Sequence, residues 1–171
     1  QAMSEEREAF CAYLRRLTRF DLEKVEPLPY RRVLSPEESK LHWSRLRARW
    51  GIAEHYWFPL SEMTLPELMA FKSAWFENPA SVRELQGILA ARGIEAVFEL
   101  KEFGPEYLED LSLLDPAYDG AEGYWSSGDL DWIVYASHES SITVGGWLLG
   151  DLKRIWPEWK SHQWTVLEAE P

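Results

Sequence analysis

Cysteine is almost missing from this chain: Cys11 stands alone among 171 residues, so neither an intrachain disulfide nor a cysteine-built zinc site can form. It lies beside the apolar face of the first predicted helix with no base nearby to activate it, and is read as a small buried filler. Long apolar runs are missing too. No stretch approaches the roughly 18 residues that a membrane-spanning helix requires, because Asp, Glu or Gly interrupts each one. Gln1-Ala2 reads as a short remnant ahead of a native Met3, with no apolar signal segment after it. With the lone thiol, this leads to the expectation of a cytoplasmic protein with no membrane partner.

The glycine patterns that cradle phosphates are also absent: Gly145-Gly146 and Gly150 fit neither G-x-x-x-x-G-K-[ST] nor G-x-G-x-x-G. No G-x-S-x-G elbow presents a nucleophilic serine. His138-Glu139 begins like a zinc-helix motif, but Ile142 stands where the second His would be. Asp115, Asp119, Glu122, Asp129 and Asp131 lack the alternate spacing with which a loop wraps calcium. The sequence therefore gives no expectation of a cofactor or a bound metal.

Acids and aromatic rings are abundant. Ten Trp, seven Tyr and seven Phe supply large apolar areas with polar tips, and the net charge is −11. The charge is unevenly spread: residues 1–50 hold eleven Lys/Arg against eight Asp/Glu, whereas residues 51–171 hold seven against twenty-one. Between positions 94 and 131 there are eleven acids and one base, Lys101. Such a field repels nucleic acid and attracts basic partners. The basic residues between Arg31 and Arg49, interleaved with Trp43 and Trp50, read as a solvated helix face or as partners for the acidic half of the same molecule.

A chain of this length fits one domain, 1–171, with a substantial core. Helical spacing of Phe10, Tyr13, Leu14 and Leu17 predicts a first helix over 4–19. Ser35-Pro36-Glu37-Glu38 opens a second with a capping box, and Gly51 ends it. Thr64-Leu65-Pro66-Glu67 repeats that pattern and predicts a helix to 75. Asn78-Pro79 opens another, which Gly93 stops. Thereafter the pattern changes. Residues 95–103 read as a strand, 106–114 as a short helix and 115–123 as a loop, while Tyr124-Trp125 begins a further strand. Residues 131–137 and 141–144 form a hairpin, 147–156 a helix and 163–168 a last strand; 52–60 also reads as extended. Helices first and strands later predict an α+β fold: N-terminal helices, then a small, mainly antiparallel sheet with a C-terminal helix.

The stretch Tyr124-Trp125, Gly128 to Ile142 and Gly145-Gly146-Trp147 resembles the small cytoplasmic α+β immunity proteins of bacterial toxin systems. The resemblance implies a protein that binds and blocks a cognate toxin, and the acidic field suits a basic target. It transfers no residue roles. The leading expectation is a non-enzymatic, acidic protein-binding module for a basic partner, with Glu122, Trp125, Asp129, Asp131, His138 and Glu139 near the interface and with the surplus indoles exposed as anchors. The rival is a small enzyme or ligand-binding protein that uses His138 and Glu139 in a Trp-lined pocket.

Overall fold

Strands with apolar side chains on both faces dominate the chain's second half, and such strands must be covered on both sides. In the computed structural model, which describes residues 2–22, 24, 29–52 and 67–165, helices provide that cover. The elements are α1 (Ala2–Leu14), α2 (Arg19–Leu22), β1 (Arg31–Val33), α3 (Pro36–Trp50), β2 (Leu68–Lys72), α4 (Pro79–Ala91), β3 (Ala96–Lys101), β4 (Tyr107–Asp110), β5 (Gly123–Ser126), β6 (Trp132–Ser137), β7 (Ser141–Gly146) and α5 (Trp147–Ile155). Short 3-10 turns lie at Ser73–Trp75, Leu111–Leu113 and Trp159–His162. The seven strands form one sheet in the order β1-β4-β3-β5-β6-β7-β2, antiparallel at every pairing. The α+β expectation with an antiparallel sheet and a C-terminal helix is what the chain adopts.

Alternation along the strands splits the core into two layers. Trp125, Trp132, Val134, Ala136, Ile142 and Val144 pack with Leu85, Ile88 and Leu89 of α4 and Leu148, Leu149 and Leu152 of α5. Tyr124, Ile133 and Tyr135 point the other way, onto Trp43, Leu46 and Trp50 of α3. The Tyr124 and Tyr135 rings stack at 4.6 Å. Truncating any of these buried indoles to Ala would cost roughly 3–5 kcal/mol.

The predicted helix starts hold because they are local. Ser35 Oγ accepts the Glu38 N–H at 3.2 Å and Glu38 Oε2 accepts the Ser35 N–H at 2.9 Å, closing the capping box. Arg32 clamps the same carboxylate at 2.8 and 2.6 Å. Its hydrogen bonds, joined by that from Ser35, hold the Glu38 carboxyl down at about 2. Gly51 ends α3 in the left-handed region, φ +66°. Asn78 caps α4 by accepting the Ala80 N–H at 2.9 Å.

Three expectations are corrected. The helix over 64–75 is instead strand β2 within its described part, paired with β7 from Leu68↔Gly145 to Lys72↔Ser141, with Phe71 fully buried. The helix over 106–114 is strand β4 followed by a 3-10 turn. Neither β2 nor β4 contains a β-branched residue, so composition favoured helix while sheet pairing decided the outcome. Cys11 is half-buried rather than buried. The extended segment at 52–60 and the last strand at 163–168 lie mostly outside the described residues, although Gln163 bridges Phe71. β1 carries no strand signature in the sequence, where Arg31 and Arg32 belong to a basic stretch.

Two glycines define opposite tests of this frame. Gly146, at φ +70°, turns β7 directly into α5, and a Cβ there would lie 2.0 Å from the Asp131 carbonyl oxygen. Gly87 sits exposed inside α4 with open space around it. In urea titrations, Gly146→Ala is expected to lose at least about 2 kcal/mol of stability. Gly87→Ala should gain roughly 0.5–1 kcal/mol.

Candidate functional site

Antiparallel pairing brings one set of strand ends together: β2, β3 and β6 finish where β4, β5 and β7 begin. The turn 102–106, the loop 114–122 and the hairpin tip 138–140 therefore share that end of the sheet. Between the loop, the hairpin tip and the N-terminal half of α4 lies a cleft of about 730 Å³. Phe76, Val82 and Leu114 line it with apolar surface, and Glu77, Arg83, Asp115, Tyr118 and His138 add charge and hydrogen-bonding groups. Gln86 fastens one wall by donating from its amide to the carbonyls of Ser112 and Leu114, at 3.3 and 3.0 Å.

The structure joins three of the six residues predicted for the interface and separates the others. Glu122, only 1% exposed, accepts through Oε1 from the His138 backbone N–H at 3.1 Å and from the His138 ring Nδ1. Glu139 Oε1 lies 3.1 Å from Nε2 of the same ring. Hydrogen bonding to Glu122 raises the His138 pKa above its usual value, against the partial burial that opposes charge. The ring has a carboxylate at each nitrogen, an arrangement that favours its protonated form. Asp129 and Asp131 are exposed at the opposite end of the sheet. The length of β6, seven residue steps from Asp131 to His138, sets the two ends roughly 23 Å apart.

Trp125 is 1% exposed in the core between sheet and helices, not at a surface. The other indoles behave similarly. Trp43, Trp50, Trp132, Trp156 and Trp164 are buried, while Trp75, Trp147 and Trp159 are partly buried, so no described indole is exposed. Among the described residues the expectation of exposed indole anchors is overturned, and so is that of a Trp-lined pocket, since no described Trp lines the cleft. Alternation places the strand indoles inward, and helical periodicity does the same for Trp43 and Trp50. The large exposed rings at the cleft end are instead Phe103, 61% exposed, and Tyr118, 45% exposed. Glu102, Asp115 and Asp119 stand exposed around them.

Several acids of the 94–131 stretch are buried and paired. Arg31 reaches Glu99 Oε2 at 2.8 Å and Glu109 Oε2 at 3.2 Å, and it lies over the Tyr107 ring at 3.7 Å. Lys101 Nζ sits 3.3 Å from Glu99 and 2.8 Å from Asp119. Burial, reinforced by the neighbouring Glu99, pushes the Glu109 carboxyl up to about 7 even though Arg31 opposes the shift. The only sequence signal for this network was the alternation of Glu99 and Lys101 within a strand. On the opposite sheet face His42 stacks on Phe98 at 4.0 Å and meets Ser126 Oγ at 2.9 Å. Burial, helped by Arg45, lowers its pKa to about 4, so this pair is a neutral core contact. Among the described residues no group of three His, Cys, Asp or Glu side chains could hold a metal ion.

No protein-family model matches the chain, and no curated protein or solved structure is significantly similar to it.

Glu109 gives the buried network a pH signature. An acid whose folded pKa lies above its unfolded value contributes stability that is complete below the unfolded pKa, near 4.5, and that disappears as pH rises through about 7. Glu109→Gln keeps a neutral donor beside Glu99, so its melting temperature should fall less than that of the parent protein between pH 5 and 8. The difference should be about 2–4 °C at pH 8. Parallel melting curves with equal slopes would contradict this assignment.

Proposed function

We propose that this chain is a non-enzymatic protein-binding module of the immunity or inhibitor type, which docks a basic partner, a toxin in the reading that the resemblance implies, on the acidic end of its sheet. The observation that carries the proposal is the convergence there of exposed carboxylates, Glu102, Asp115 and Asp119, with exposed rings, Phe103 and Tyr118, from separate loops. Complementary charge accelerates encounter, and aromatic side chains at an interface centre slow dissociation. The disposition of His138 fits binding better than catalysis, because both of its ring nitrogens stand against carboxylates. Of the residues first expected at the interface, Glu139 and His138 remain as contacts, Glu122 acts from beneath them, and Asp129, Asp131 and Trp125 leave it.

A second reading, a small-molecule site, is favoured by one observation: the cleft's volume of about 730 Å³ is within the range of ligand pockets. Capture from the source cell separates the two, provided that the captured species is tested against surface variants. For a basic protein partner, Glu102→Gln with Asp115→Asn should slow association severalfold at low salt and flatten its salt dependence. Phe103→Ala with Tyr118→Ala should weaken affinity by about tenfold or more. Asp129→Asn with Asp131→Asn, which removes equal charge at the far end, should leave both quantities unchanged. A captured small molecule, or equal effects from the two charge pairs, would reject the docking assignment.

A further inference from the structure

The hairpin tip between β6 and β7 is pinned in an unequal way. The Glu139 N–H donates to Ser137 Oγ at 3.1 Å, and the Glu139 carbonyl accepts the Trp164 indole N–H at 2.9 Å, so its backbone is held on both sides. Its side chain, by contrast, is 30% exposed, and among the described residues it is placed by the ion pair to His138 Nε2. Across the ring, Glu122 is almost completely buried, and one of its oxygens takes both bonds from His138 while the other has no hydrogen-bond partner. Among the described residues, other charged and titratable groups around the ring include Glu102, just after β3, and Tyr118, whose ring lies 6.4 Å away. Glu77, Arg83 and Asp115 lie farther out along the cleft walls.

We propose that this tip is a proton-operated latch, in which loss of one proton from His138 frees the Glu139 carboxylate beside the cleft while Glu122 keeps the ring in place. The regulatory use of the latch rests on the docking reading above; its chemistry does not. An imidazolium can donate from both nitrogens, whereas a neutral ring keeps a single N–H. Taking the ring donor from a buried carboxylate, which would keep the His138 backbone N–H, costs more than releasing a part-exposed one. The neutral ring therefore keeps its hydrogen on Nδ1 towards Glu122, and the proton leaves to solvent from Nε2. A bare Nε2 lone pair then faces the Glu139 oxygen, and two acceptors repel. With its backbone fixed, Glu139 moves only at the side chain. Below the transition, the ring's positive charge offsets one of the two carboxylates. Above it, both are uncompensated and Glu139 faces solvent, which makes the docking face more attractive to a cation.

The test is an NMR titration of the intact protein, following the His138 ring nitrogens and the Glu139 side-chain carboxyl carbon. The expected result is one shared midpoint above that of an ordinary histidine, with the high-pH ring carrying its hydrogen on Nδ1. Glu139→Gln should lower the ring's midpoint by on the order of half a pH unit. A high-pH hydrogen on Nε2, or a Glu139 carboxyl that ignores the ring's titration, would overturn the latch. A hexalysine peptide probes its use: affinity should rise roughly two- to fivefold across the same midpoint, and the rise should vanish in Glu139→Gln. If the ring titrates as described while hexalysine affinity stays flat, the latch stands and the docking role of this tip is what fails.

Discussion

The central strands β5, β6 and β7 present apolar side chains to both sides of the sheet, and the rest of the molecule answers that constraint. Every residue of β5 and β6 is buried. One helical layer could cover only half of that surface. α3 takes the Tyr124–Ile133–Tyr135 side, while α4 and α5 take the Trp125–Trp132–Val134 side. Because the described indoles are buried or partly buried, their abundance serves packing. The tyrosine and phenylalanine left exposed at the cleft mouth belong to loops that no alternation turns inward.

Burying so much of the sheet also draws ionisable groups inside, and each one then needs a partner. Glu99 and Glu109 find Arg31, and Glu122 finds His138. Part of the sequence's polarity, basic at the start and acidic later, is thereby settled within the fold. β1 carries its arginine to strands some seventy residues further on. Among the carboxylates left facing solvent, Glu102 and Asp115 lie on the loops at the cleft end.

These two consequences together shape the candidate site. A rigid antiparallel frame brings three loops to one end, where a cleft separates them from α4, and the only histidine among them is fixed from below by a buried acid. Glu122 meets the proposed docking face through His138, as a support beneath it. In the latch proposed above, the charge of that face follows a single proton.

What the sequence determined by itself was local. The capping box at Ser35, the Asn78 cap, the Gly51 and Gly93 stops and the His138–Ser140 hairpin turn each depend on residues within a few positions of one another, so each could be read directly. The ion pair of His138 with Glu139 was not legible, although both residues were singled out. Tertiary structure alone decided that 68–72 and 107–110 are strands, that Trp125 lies inside, that Asp129 and Asp131 stand a sheet's length from His138, and that Glu122 sits beneath the ring. Those outcomes depend on which strands become neighbours, and in a short segment without β-branched residues the energy of pairing with a distant partner exceeds any preference written in its own side chains.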